Sequence, residues 1–141
     1  MGTRSNIGIV NDNNTVTGIY CHWDGYPEWN GRILLENYNT ADSVRELVKL
    51  GDLSSLRPKL NPEPGIPHDF QNQQEGVVVA YGRDRGETGT EAKTFAGERA
   101  FERYADNSGA EYQYLFRNDG WWFNAADGRW TKLTENDCKS K

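Results

Sequence analysis

The chain has 141 residues and a net charge of −5, with 16 Lys and Arg against 21 Asp and Glu. Non-specific DNA or RNA binding needs a broad basic surface that displaces counterions, so neither polymer is an expected partner. Apolar residues make up 35%, which allows only a modest core, and no apolar run of about 18 residues offers a membrane span.

The length fits a single domain, 1–141. Five Trp, seven Tyr and five Phe add large rings to the small apolar share. The polar start "MGTRSN" carries no secretory signal. A cytosolic setting follows as the expectation, with Cys21 and Cys138 as free thiols.

Residues 5–10, "SNIGIV", read as a strand with Ile7 and Ile9 on one face. "NDNN" at 11–14 is turn chemistry, and 15–23 reads as the returning strand of a hairpin. From 28 to 38 the pairs Trp29–Ile33 and Leu34–Tyr38 carry helical spacing. A second helix spans 41–50, with Val44, Leu47 and Val48 as its stripe and Gly51 as its stop. "DLSSL" reads as a short turn or helical cap.

Residues 57–74 hold four of the five prolines and predict a long ordered loop or lid. The apolar run 75–82, "EGVVVAYG", predicts a central strand buried on both faces. A polar loop follows at 83–93, then a helix at 95–106 with Phe101, Tyr104 and Ala105 on one side. The end reads as a three-stranded meander, "AEYQYLF", "WWFNA" and "RWTKL", followed by a frayed tail at 134–141. The order ββααβαβββ predicts an α+β fold, with a mostly antiparallel sheet and helices on one face.

Two stretches concentrate chemistry. "YCHWDGYP" sets a thiol, an imidazole, a carboxylate and rings side by side. Strand alternation puts Cys21 with Ile19 and Trp23, and His22 with Gly18 and Tyr20, so the thiol and imidazole cannot meet. Cys21 is then a small core residue. His22 is placed to pair with Asp24, as a base, a donor or a structural histidine. Asp24, Gly25 and Pro27 build a turn that displays Trp23 and Tyr26 near a helix N-terminus, where anions bind.

The second stretch is "YGRDRGETGTE". In an extended loop Arg83 and Arg85 share a face, and two guanidiniums there grip phosphate. Asp84 and Glu87 would orient them or take a ribose hydroxyl. The plain alternative is a surface ion-pair loop. Arg4, just before the first strand, reaches the same region if the first hairpin lies beside the strand at 75–82. Two histidines and no spaced Cys or His set give no metal site and imply no cofactor.

The segments "MGTRSNIGIV", "YCHWDGYPEWNGRILLENY", "LVKLGDLSSL" and "VAYGRDRGETGTEA" together resemble a family of short tailed-phage and prophage proteins, over about residues 1–133. The resemblance implies an origin more than an activity. Small phage proteins of this kind are often anti-defence factors, including sponges that sequester nucleotide immune signals.

The expected function is therefore non-catalytic binding of a small nucleotide-like ligand, a cyclic nucleotide or ADP-ribose derivative, in the host cytosol. The expected site is Arg4, His22, Trp23, Asp24, Tyr26, Arg83, Arg85 and Glu87, with His68 and Phe70 on a closing loop and a homodimer or higher homo-oligomer as the assembly. The alternatives are a nucleotide-cleaving enzyme using His22 and Asp24, and a protein inhibitor acting through Trp121 and Trp122.

Overall fold

The computed structural model describes residues 2–118 and 120–139. Strands β1 (Ser5–Val10) and β2 (Val16–Cys21) form the expected hairpin, with Ser5 opposite Cys21 and Gly8 opposite Gly18. The remaining strands are β3 (Leu53–Ser55), β4 (Val79–Ala80), β5 (Lys93–Phe95), β6 (Tyr112–Arg117), β7 (Gly120–Asn124) and β8 (Thr131–Lys132). They join one sheet in the order β4-β3-β2-β1-β6-β7-β8, and β5 lies on the first half of β2. Only β1–β6 and β2–β3 pair parallel among the described strands, so the sheet is mostly antiparallel and the fold α+β.

A π-helical turn (Pro27–Gly31) leads into α1 (Arg32–Asn37), and α2 (Ala41–Lys49) follows. Thr40 and Ser43 cap α2 reciprocally, and Gly51 leaves it with φ at +82°. These helices lie on the face of Ile7, Ile9, Ile19 and Cys21, where Leu34, Val44, Leu47, Tyr114 and Trp121 complete the main core. Helix α4 (Glu98–Ser108) covers the other face. Its Phe101 packs with Val16 and Leu115, flanked by Phe95 and Trp130. The helices therefore do not share one face, because the sheet carries apolar side chains on both.

The paired glycines make α4's seat. A Cβ on Gly18 would lie 2.6 Å from the Phe101 ring, and one on Gly8 would lie 3.0 Å from it. The ring rests on bare backbone, closer than any side chain there would permit.

Several expectations change. "DLSSL" contains strand β3, not a cap. The run 75–82 is no central strand: β4 has two residues and sits at the sheet edge. Val77, Val78, Val79 and Ala80 are still buried, because the Pro-rich strap folds over them. Lys59 and Val77 bridge its two ends. The polar loop at 83–93 gives way to helix α3 (Tyr81–Arg85) and the start of β5. The tail forms a 3-10 turn, Glu135–Cys138, tied down where Arg32 donates to the Cys138 carbonyl at 2.7 Å. Residues 140 and 141 of that expected tail lie outside the described residues.

Gly18→Ala should lower stability by about 1–3 kcal/mol through overpacking against Phe101. The same change should cost less in a Phe101→Leu background, where the ring is gone. Chemical denaturation of the four variants of that cycle checks it.

Candidate functional site

Four strands set the site. Ser5, Cys21, Leu53 and Ala80 stand side by side across β1, β2, β3 and β4 and are buried. Their sequence neighbours Arg4, Tyr20, His22, Ser54 and Tyr81 alternate to the opposite face. Helix α4 covers Gly8 and Gly18 on that face and ends near Asn6, whose amide reaches Ser108 Oγ at 3.2 Å. Beyond it Arg4 is exposed, and Tyr20, His22 and Tyr81 are half-buried.

These side chains form a continuous strip. The Tyr20 hydroxyl lies 2.8 Å from His22 Nδ1, and the His22 ring meets Trp23 edge-on at 4.7 Å. Tyr81 shares a hydrogen bond with Ser54 and packs on Phe70 at 5.5 Å. The Arg85 guanidinium lies over both of those rings, 4.7 Å from Phe70 and 5.3 Å from Tyr81. Tyr20 N–H donates to Asp52 Oδ1 at 3.0 Å, which fills the gap on β2 between β5 and β3.

Charge states follow from burial and neighbours. Burial and the adjacent Arg4 hold the His22 imidazole below its ordinary value. Burial raises the Tyr20 phenol. A protonated Tyr20 therefore donates to Nδ1 of a neutral His22, which leaves Nε2–H as the ring's own donor. Arg4 sits beneath the C-terminal end of α4, with Nη1 about 2.9 Å from the Cβ position of Gly109. The helix dipole favours a cation there.

The expected His22–Asp24 pair does not form. Alternation stops at Cys21, and Asp24 turns with φ at +57°. Its carboxylate accepts from the Tyr26 hydroxyl at 3.1 Å. The expected anion-binding helix start is a five-residue π-turn. Its Trp29 and Asn30 N–H groups already serve the Tyr26 and Asp24 carbonyls. Trp23 is 42% exposed, as is Trp29, whose Nε1 donates to the Leu56 carbonyl.

Cys21 is core, as alternation implied. Burial pushes its thiol up to about 11. Cys138 is also buried, unpaired and raised to about 11, mainly by burial.

The two loop arginines part ways. Helix α3 turns Arg83 and Arg85 about 200° apart, so they share no face. Arg83 points inward. It donates to the Leu60 and Val78 carbonyls, both at 2.7 Å, and to both oxygens of buried Asp84. Asp84 also accepts from Ala80 N–H. Arg83 is a clamp on the Pro-rich strap, not a phosphate ligand. His68 belongs to the same clamp: its Nδ1 accepts from Gln74 N–H and its Nε2 donates to the Val78 carbonyl. Arg85 stays outside, paired with Glu87 at 2.6 Å, with both side chains more than a third exposed.

Sequence reading thus brought Arg4, His22 and Trp23 together, missed Tyr20, Ser54 and Tyr81 between them and Arg85, and misplaced Arg83 and His68. Trp121 is no interface residue: it is buried and donates to the Tyr38 carbonyl at 2.7 Å. A separate cleft of about 760 Å³ lies between α1 and the C-terminal turn, lined in part by Arg32, Glu36, Leu133 and Cys138. None of the expected residues lines it.

Arg83→Ala should cost about 3 kcal/mol, because it strands the buried Asp84 carboxylate. Arg85→Ala should cost only about 1 kcal/mol, because an exposed ion pair and exposed cation–π contacts contribute little. Urea melts of the two variants check the contrast.

The His22 resonance should titrate below about pH 6.5 in NMR, and Arg4→Ala should move that midpoint upward. The folded state takes this proton less readily than the unfolded chain, so the stabilising contribution of the neutral ring is complete above about pH 6.5 and is lost as pH falls from there through the lower folded value.

No family model, curated protein or solved structure matches this chain.

Proposed function

We propose that this chain is a phage-encoded protein that binds and sequesters a small nucleotide-type ligand in the host cytosol. The observation that carries the reading is the strip Arg4–Tyr20–His22–Trp23–Tyr81. It sets rings and hydrogen-bond donors together on a sheet face that α4 leaves uncovered. Nucleotides need a ring face for the base and cationic or N–H donors for the phosphate. Trp23 stacks the base in this reading, and Arg4 with His22 Nε2–H holds the phosphate.

The chemistry favours holding over turnover. The Cys21 thiol is buried and raised, and the Tyr20 phenol is raised as well. His22 meets Tyr20 and Trp23, and among the described residues no carboxylate orients it as a base. The strip is shallow for a tight site. A second copy across it would deepen the pocket, and the proposed assembly is a homodimer.

A thermal-shift screen with mono-, di- and cyclic nucleotides and ADP-ribose derivatives tests the reading. A ligand should raise the melting temperature with the logarithm of its excess and be recovered intact after denaturation. Trp23→Ala should weaken binding by about 1–3 kcal/mol, the usual worth of one base stack. Absence of any shift across the panel, or recovery of a cleaved ligand, would overturn it.

A further inference from the structure

We infer that the strip takes a ligand of dinucleotide length, with one anionic group held at Arg4 and another at Arg85. The inference rests on the nucleotide-binding reading above and fixes the size of the ligand.

The length comes from the sheet. Arg4 precedes β1 and Tyr81 follows β4, with β2 and β3 between them. Neighbouring strands lie about 4.8 Å apart, so the backbones at the two ends are about 14 Å apart. Arg85 extends the strip, because its guanidinium stacks beyond Tyr81 on the Phe70 ring. A mononucleotide with its phosphate on Arg4 covers only the His22 and Trp23 end. The Tyr81 and Phe70 rings and the Arg85 cation would stay empty.

Both ends suit anions. Among the described residues Arg4 makes no ion pair. Arg85 has one partner, Glu87, in an exposed pair that a ligand anion exchanges at little cost. The carboxylate nearest the middle, Asp52, is turned to the Tyr20 N–H, and burial raises its pKa. The middle offers Tyr20, His22, Ser54 and Tyr81, all neutral hydrogen-bonding groups. The strip therefore has cations at its ends and rings between them, which is the order of charges and bases in a linear dinucleotide that carries a phosphate at each terminus. Phe70 comes from the Pro-rich strap. Arg83 and His68 hold that strap in place, so the far end of the site is built in advance of binding.

Isothermal titration with AMP and with the linear dinucleotide pApAp, which carries a phosphate at each terminus, tests the inference. The dinucleotide should bind at least about tenfold tighter than AMP. Arg4→Ala and Arg85→Ala should each weaken pApAp about tenfold, whereas AMP should respond to one of them only. Arg4→Lys and Arg85→Lys serve as second variants that keep the charge and should retain part of the affinity. Equal affinity for AMP and pApAp, or two AMP molecules bound independently by one chain, would sink the dinucleotide inference and leave the nucleotide reading standing. Failure of AMP, pApAp and the wider nucleotide panel alike would remove both.

Discussion

The Phe101 ring lies against the backbone of Gly8 and Gly18, a cross-strand pair without side chains. That contact sets how closely α4 approaches the sheet and where along β2 it stops. A buried polar chain holds the helix end in register. Gln113 Nε2 donates to the Phe101 carbonyl at 2.7 Å and to Asn6 Oδ1 at 3.1 Å, and Asn6 in turn reaches Ser108. Asn124 donates to Gln113 Oε1 and completes it. Each donor that leaves water finds an acceptor, so the network specifies position without a stranded polar group. Past Ser108 the face is left to Arg4, Tyr20 and His22.

Legibility in the sequence followed periodicity. The first hairpin, α2 and the closing meander carry enough residues to show a period of two or of 3.6, and all three stand where expected. Strands β3 and β4 have three and two residues, too few for any period. Val77 to Ala80 is apolar because the strap covers it as well as the core, and local sequence does not distinguish that from a central strand. At "YGRDRG" the extended reading put Arg83 and Arg85 on one face. Gly86, left-handed at φ +71°, ends a helix that begins at Tyr81, and glycine at that place was the available sign. Alternation along β2 separated Cys21 from His22 correctly. It failed two residues later because Asp24 leaves the strand.

Arg83 and Arg85 show how little residue type says about role. They lie two positions apart on one turn of helix. Arg83 closes on Asp84 and two carbonyls, and its charge is spent inside the fold. Arg85 rests on two rings at the surface with a weakly held partner. Removing the first disturbs the strap that positions Phe70; removing the second leaves the fold intact and changes only the surface. A net charge of −5 is compatible with this, because a small anion senses the nearest guanidiniums and not the sum over a screened surface.

The same locality explains the state of His22. A charged imidazole beside Arg4 would add like charge at a partly buried place, and the protein resolves the conflict by keeping the ring neutral. Tyr20 then has one sensible role, as donor to Nδ1, which puts the ring proton of the neutral His22 on Nε2. One fixed cation and one neutral donor hold an oxyanion with less repulsion in the empty state than two cations would. That economy matters on a strip whose rings are half-buried, because each extra charge there would have to be desolvated with every binding event.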